Sequence, residues 1–313
     1  MERRESSTAV VFPGQGSQRD GMGRDFHDAF ATARDVFDEA SEAVQLDLRG
    51  LCFGADSRLA RTEYAQPAIV TTEIAMFRVL QAEFGLVGRC FGGHSLGEYA
   101  ALVAAGALPL AATVRAVRER GRLMQEAVSV GDGKMIALIG AGLDLSRIGQ
   151  TARAHQVTVA NENSPEQIVL SGLSARVWAA AQEILSDQAG LRTVELEVSA
   201  PFHSPLMRAI EPAFGRVLAY ELADALVAPL AAAVTANVTG GFHRPERESV
   251  LELLLHQVSH PVRWVQNMRA LVGCAERVVE IGAQRPLRGF FRAIGVETVS
   301  ISSVRAAGQL TCA

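Results

Sequence analysis

Apolar positions along the chain follow two rhythms. Ala9-Val10-Val11-Phe12 is an unbroken apolar run too short for a helix, and it ends at Pro13-Gly14-Gln15-Gly16. It predicts a short buried strand that runs into a turn. Gln66-Pro67 predicts a helix start, because proline at the first helical position gives up no needed N–H. Val70, Ile74, Phe77, Leu80 and Phe84 then follow at helical spacing. A predicted strand over 87–91 leads into Gly92-Gly93-His94-Ser95, and a helix begins at once. Strand, turn and helix in that order predict α/β architecture around a parallel sheet covered on both faces.

The second rhythm starts at Gly131. Residues 134–140 predict a strand and 143–154 a helix. Residues 157–160 and 167–171 predict a hairpin around Asn161-Glu162-Asn163-Ser164-Pro165. Residues 174–188 predict a helix with Val177, Ala181, Ile184 and Leu185 on one face, and 193–198 alternate polar and apolar as a half-buried strand does. The order β-α-β-β-α-β is that of a ferredoxin-like unit. The expected organisation is therefore an inserted subdomain over 131–199 with its own antiparallel sheet, within a larger α/β domain formed by 1–130 and 200–313. Helices and short strands resume at Ala200 and end near 299–301.

Composition narrows the classes open to such a fold. A formal charge of −4 leaves no global basic field for nucleic acid or an anionic membrane, so attraction for an acidic partner must come from a local patch. The four cysteines, at 52, 90, 274 and 312, form no C-x-x-C pair and no metal-ligand spacing. They predict free thiols in a reducing compartment, with neither a disulfide framework nor a zinc site. Residues 1–8 are polar and lack the apolar core of a signal peptide. No apolar run reaches the roughly 18 residues of a membrane span. The expected location is the cytoplasm.

Gly93-His94-Ser95-Leu96-Gly97 fits the pattern G-x-S-x-G. Such an elbow needs a sharp strand-to-helix turn that exposes the serine, with small residues two places either side so that neighbouring backbone passes without clashes. The plainer reading is a glycine-rich turn whose serine caps a helix. A nucleophilic serine also needs a base. Among seven histidines, His94 adjoins the serine but points elsewhere in an elbow. His203 sits in the prolyl loop Ser199-Ala200-Pro201-Phe202-His203-Ser204-Pro205, and spacing alone does not separate it from a surface histidine. On the helix after Leu110, Val114, Val117, Gly121, Met124 and Val128 form one stripe. Arg115, Arg118 and Arg122 flank it on one side and Arg120 stands alone on the other, next to Met124. Arg120 is either a snorkelling edge residue or a planar fork for a carboxylate.

Five segments, in order and without large gaps from about residue 9 to 302, are similar to the successive signatures of one family. They are Phe12-Pro13-Gly14-Gln15-Gly16-Ser17-Gln18, Gly93-His94-Ser95-Leu96-Gly97-Glu98, Arg120-Gly121-Arg122-Leu123-Met124-Gln125, Pro201-Phe202-His203-Ser204 and Gln257-Val258-Ser259-His260-Pro261-Val262-Arg263-Trp264. The chain resembles the malonyl-CoA:acyl carrier protein transacylases and the related acyltransferase domains of polyketide synthases. The resemblance implies a hydrolase-like α/β domain plus the ferredoxin-like subdomain, with the site between them. It implies Ser95 as nucleophile, His203 as base, the N–H groups of Gln15 and Leu96 as oxyanion hole, and Arg120 as the ligand of the malonyl carboxylate. Met124, Phe202 and Gln257 join Arg120 around the substrate, with the Gln257 carbonyl orienting His203 and Phe202 crowding the α-carbon against methylmalonyl.

The implied reaction is ping-pong, with malonyl-CoA as co-substrate, an acyl carrier protein as partner and no bound cofactor or metal. Shuttling of another acyl group between carriers, or hydrolytic release of stalled chains, are the alternatives. Glu98 is expected to serve the helix dipole, Asn161 and Asn163 either the cleft or a turn, and Trp264 the core. One departure is Glu280-Ile281-Gly282-Ala283-Gln284, where the family usually has Glu-Ile-Gly-Pro-Gly; it alters the mouth of the cleft and tilts the expectation toward polyketide over fatty acid synthesis. Arg285, Arg288 and Arg292 share one helix face and are a candidate docking surface for the carrier. A free-standing monomer acting in trans is expected.

Overall fold

The computed structural model describes residues 7–128, 131–198 and 200–310, so Ser199 of the prolyl loop and Cys312 lie outside the described residues. Eight strands are found among them: β1 (Thr8–Phe12), β2 (Cys90–Gly93), β3 (Gly133–Ile139), β4 (Thr158–Ser164), β5 (Gln167–Leu173), β6 (Arg192–Glu195), β7 (Arg277–Ile281) and β8 (Thr298–Ile301). They form two sheets, β2-β1-β7-β8 and β4-β5-β3-β6.

The first sheet is parallel throughout, and it explains the unbroken apolar run at its centre. Side chains alternate between the two faces of a strand. Val10 and Phe12 enter the larger core with Val279, Ile281 and Ile301. Ala9 and Val11 enter a second core with Val278, Trp264, Leu271 and Phe291. A sheet buried on both sides asks for apolar residues at every position. Trp264 is core, as expected.

The helix Thr62–Phe84 is buried almost all round from Ala65 to Phe77, so it runs through the larger core. It starts four residues before the expected Gln66. Pro67 lies inside it, about one turn from the start, where only a single i→i−4 bond is lost. The strand expected over 87–91 is also displaced. Val87 is 70% exposed, and pairing starts only at Ala9↔Cys90. The displacement carries β2 directly into the glycine turn.

In the second sheet all pairs are antiparallel, and the order β4-β5-β3-β6 is that of a ferredoxin-like unit. Ile136 and Leu138 of β3 pack under the helices Leu145–Ala154 and Ser174–Asp187. Met135 and Ala137 face the larger core. Ala180 rather than Leu185 completes the apolar face of the second helix. Two expectations fail here. β4 continues through Asn161, Glu162 and Asn163 by means of irregularities in register, so the hairpin turn shrinks to Pro165-Glu166, and both asparagines are buried. The expected half-buried strand over 193–198 is a short edge strand, paired only with β3 and largely exposed. Among the described residues no helix is long and apolar enough to cross a membrane.

Candidate active site

Ser95 lies between β2 and the helix Gly97–Ala104 with φ of 51°, a left-handed conformation unusual for a non-glycine residue. The flanking glycines are sterically required. A Cβ on Gly93 would lie 1.9 Å from the Gly97 carbonyl carbon, and one on Gly97 would lie 2.2 Å from Phe12 O. The turn after β1 is pressed against the same place, since a Cβ on Gly14 would come within 2.4 Å of His94 O. Gln15 and Leu96 thus flank the serine, and among the described residues no acceptor is found for either N–H.

His203 Nε2 lies 2.8 Å from Ser95 Oγ. Its Nδ1 lies 2.8 Å from Gln257 O, which can only accept, so Nδ1 carries the proton and Nε2 faces the serine with its lone pair. The His203 N–H also bonds Val258 O at 3.1 Å. Burial, then the positive field of Arg120, pull the imidazole down to about 3 from its ordinary value. The imidazole is therefore neutral at neutral pH and able to accept a proton. His94 is elsewhere engaged, as expected: Nε2 lies 2.7 Å from Asn163 Oδ1, and the ring stands against Trp264. Asn163 reaches it from β4 of the second sheet, so turn chemistry does not account for that residue.

Arg120 is 1% exposed. Nη1 donates to Gln66 Oε1 at 3.0 Å, and Nη2 to Gln257 Oε1 at 2.9 Å and more weakly to Ser95 Oγ at 3.4 Å. Its Nε–H has no partner, and no carboxylate touches it among the described residues. The guanidinium carbon is 5.5 Å from the Tyr99 ring centre. Snorkelling is excluded by the burial. The three arginines of the opposite flank are instead tied to acids: Arg115 to Glu221, Arg118 to Glu63, Arg122 to Glu119 and Glu126. Met124 is buried with its sulfur 3.7 Å from Gln66 Nε2, so it backs the amide that holds Arg120. Phe202, next to the base, is 5% exposed.

Glu98 does more than face a helix dipole. It is 1% exposed and accepts from Gln257 Nε2 at 2.7 Å and from the Asn237 N–H at 2.9 Å, while His243 Nε2 lies 2.8 Å from its other oxygen. Asn237 in turn clamps the elbow: its Oδ1 accepts from the Ser95 N–H at 2.6 Å, and its Nδ2 donates to Gly93 O at 2.8 Å. One buried carboxylate therefore fixes both the backbone of the serine and the amide that orients Arg120. The site roles of Gln66, Asn237 and His243 carry no signal in the sequence. Only the glutamate's place three residues after Ser95 hinted at such a hub.

The departing segment Ala283-Gln284 is tied to the turn after β1, with Arg19 Nε donating to Ala283 O at 3.0 Å and Gln284 Nε2 to Gln18 O at 3.3 Å. Arg285, Arg288 and Arg292, on and beside the helix Pro286–Ala293, are exposed. None of them is in an ion pair found among the described residues. Glu280 at the end of β7 accepts from the N–H groups of Leu287 and Arg288, anchoring that helix.

A strained serine on an elbow, a neutral histidine held by a carbonyl, and free N–H groups beside them form an arrangement suited to serine-dependent acyl transfer. The chain belongs to the acyl transferase domain family, whose pattern matches residues 9–290. It is 38% identical over 309 residues to the malonyl CoA-acyl carrier protein transacylase of Bacillus subtilis (strain 168), covering 95% of this chain and 94% of that protein. Among solved structures, the malonyl-CoA:acyl carrier protein transacylase of Xanthomonas oryzae is 35% identical with a TM-score of 0.90, and 98% of each chain is covered. A malonyl-transacylase solved in complex with a type II polyketide synthase acyl-carrier protein is 32% identical with a TM-score of 0.91, covering 97% of this chain and 99% of that one.

Proposed function

We propose that this chain is a malonyl-CoA:acyl carrier protein S-malonyltransferase working through an ester on Ser95, without a cofactor, in the cytoplasm. In this reading the inserted unit spans 131–199. The observation that carries it is Arg120, a cation 1% exposed and 3.4 Å from the serine oxygen, held by neutral amides with one N–H unused. Glu98 acts on it only at a distance and through the Gln257 amide, and a buried cation without a directly paired anion is destabilising. The free carboxylate of a malonyl group supplies that anion in bidentate form; a simple acyl chain supplies nothing.

With the carboxylate on Arg120, the thioester carbonyl meets Ser95 Oγ. His203 Nε2 takes the hydroxyl proton as the O–C bond forms. Negative charge on the carbonyl oxygen falls to the N–H groups of Gln15 and Leu96. The intermediate collapses, the C–S bond breaks, and His203 passes its proton to the departing CoA sulfur. The phosphopantetheine thiol of the carrier then gives its proton to His203, attacks the ester, and Ser95 recovers its hydrogen. The Gln257 carbonyl stabilises the passing imidazolium as an aspartate would, without a second buried charge. The malonyl carboxylate also offsets the Arg120 field that depresses His203, so the correct substrate strengthens its own base. Phe202 crowds the α-carbon and favours malonyl over methylmalonyl.

The carrier docks, in this reading, on the unpaired Arg285, Arg288 and Arg292. Rim charges act mainly on association rate and are screened by salt. Measuring the two half-reactions separately tests both statements. Wild-type protein is expected to acquire a malonyl group from malonyl-CoA; no adduct would overturn the functional reading. The variant Arg288→Glu/Arg292→Glu is expected to keep that step and to lose about tenfold in transfer to carrier at low salt. Unchanged transfer would move the docking surface elsewhere.

A further inference from the structure

Glu211, His256 and His260 converge away from the acyl-transfer centre. Glu211 opens the helix Glu211–Glu221, and His256 closes the helix Arg247–His256. His260 follows one turn on, with its N–H bonded to His256 O at 3.0 Å. One donor atom from each side chain lies within 4.8 Å of the others. The carboxylate is held in place by the Ser259 hydroxyl, which donates to Oε1. His256 Nδ1 is buried without a hydrogen-bond partner, 3.7 Å from Glu211 Oε1. His260 Nδ1 lies 2.9 Å from His256 O, which accepts its proton and leaves Nε2 with the lone pair. Imidazoles that bind metals commonly have their second nitrogen fixed by a carbonyl in this way.

We propose that these three residues bind one divalent transition-metal ion of the zinc class. Two imidazole nitrogens and one carboxylate suit a borderline ion such as Zn²⁺ and disfavour the hard ions Mg²⁺ and Ca²⁺. Bonds of about 2.0–2.2 Å in tetrahedral geometry need donors about 3.4 Å apart. Half-exposed side chains reach that spacing by closing a little over 1 Å. Glu252 Oε1 lies 3.9 Å from His256 Nε2, the nitrogen remote from Glu211, where it can orient the ring; the fourth position is left to water.

Such an ion clips the turn 256–260 to the start of the helix Glu211–Glu221. That turn carries Gln257 O and Val258 O, both of which hold His203, and the Gln257 amide, which holds Arg120. Occupancy therefore bears on the base without touching substrate. Two histidines four apart carry no metal signal in the sequence until the fold brings Glu211, forty-five residues earlier, beside them.

The test is calorimetric titration of tag-free, metal-stripped full chain with ZnCl₂, with MgCl₂ as comparator, together with thermal unfolding. Its readout is binding, so it stands whether or not malonyl transfer is the activity. The wild type is expected to bind one Zn²⁺ and no Mg²⁺. Its Tm should rise by about 3–5 °C when Zn²⁺ is a hundredfold above Kd. His256→Gln/His260→Gln should weaken binding by more than about 100-fold. Glu211→Gln, which keeps an acceptor for Ser259, should weaken it about tenfold and serves if the double variant does not fold. Absence of binding at millimolar Zn²⁺, or wild-type affinity in the folded variants, would overturn the proposal.

Discussion

Ser95→Ala will take up no malonyl group from malonyl-CoA, and transfer should fall by about a million-fold, as when one member of a unit of catalytic residues is lost. Alanine is the smallest change compatible with the elbow, and the Asn237 clamp on the backbone N–H stays in place. No neighbour can take over. His94 is engaged with Asn163, and the Cys90 thiol is buried at the start of β2. His203 would remain neutral and oriented by Gln257, with no hydroxyl to deprotonate. Intact mass is the readout, with circular dichroism to confirm the fold. A malonylated Ser95→Ala protein would mean that the ester forms elsewhere.

Arg120→Ala is expected to lose malonyl loading by two to four powers of ten, which corresponds to about 3–5 kcal/mol for a charge-assisted bidentate contact in a desolvated site. Part of any loss is structural, because the Gln66 and Gln257 amides each lose a donor. Comparison with acetyl-CoA separates the two. Acetyl has no carboxylate to lose, and removing the arginine lifts the field that depresses His203, so the base strengthens. Acetyl loading should therefore fall far less than malonyl loading, or rise. Equal losses on both thioesters would make Arg120 a structural residue only.

What could be read from the chain in advance follows from how local the cause is. β1 was legible because a strand buried on both faces must be apolar at every position. The elbow was legible because its pattern is local: Gly93 answers to Gly97 and Glu98 a few residues on, although Gly97 itself answers to Phe12 and Pro13 of the turn after β1. Arg120 stood out because helical spacing sets it alone on the flank opposite Arg115, Arg118 and Arg122; that those three pair with acids is visible only in the fold. Boundaries failed where tertiary pairing decides them: at Cys90, where the ladder with β1 begins; at Thr62, ahead of a tolerated proline; and at β6, an edge with one partner. The network behind the site was hidden for the same reason. Asn237 and His243 meet Glu98 across roughly 140 residues of chain, and neither lies in a motif. Asn163 had a motif but was open to a turn reading until β4 extended through it.

The proposed transfer passes through a covalent intermediate that a carrier thiol, rather than water, resolves. Intact mass spectrometry of wild-type protein loaded with malonyl-CoA, freed of excess thioester and then mixed with a phosphopantetheine-bearing acyl carrier protein, follows that group directly. The predicted result is the loss of one malonyl mass from the enzyme and its gain by the carrier, with little loss from the enzyme while no carrier is present. Decay of the adduct to free malonate at the same rate with and without carrier, the carrier mass unchanged, would contradict it.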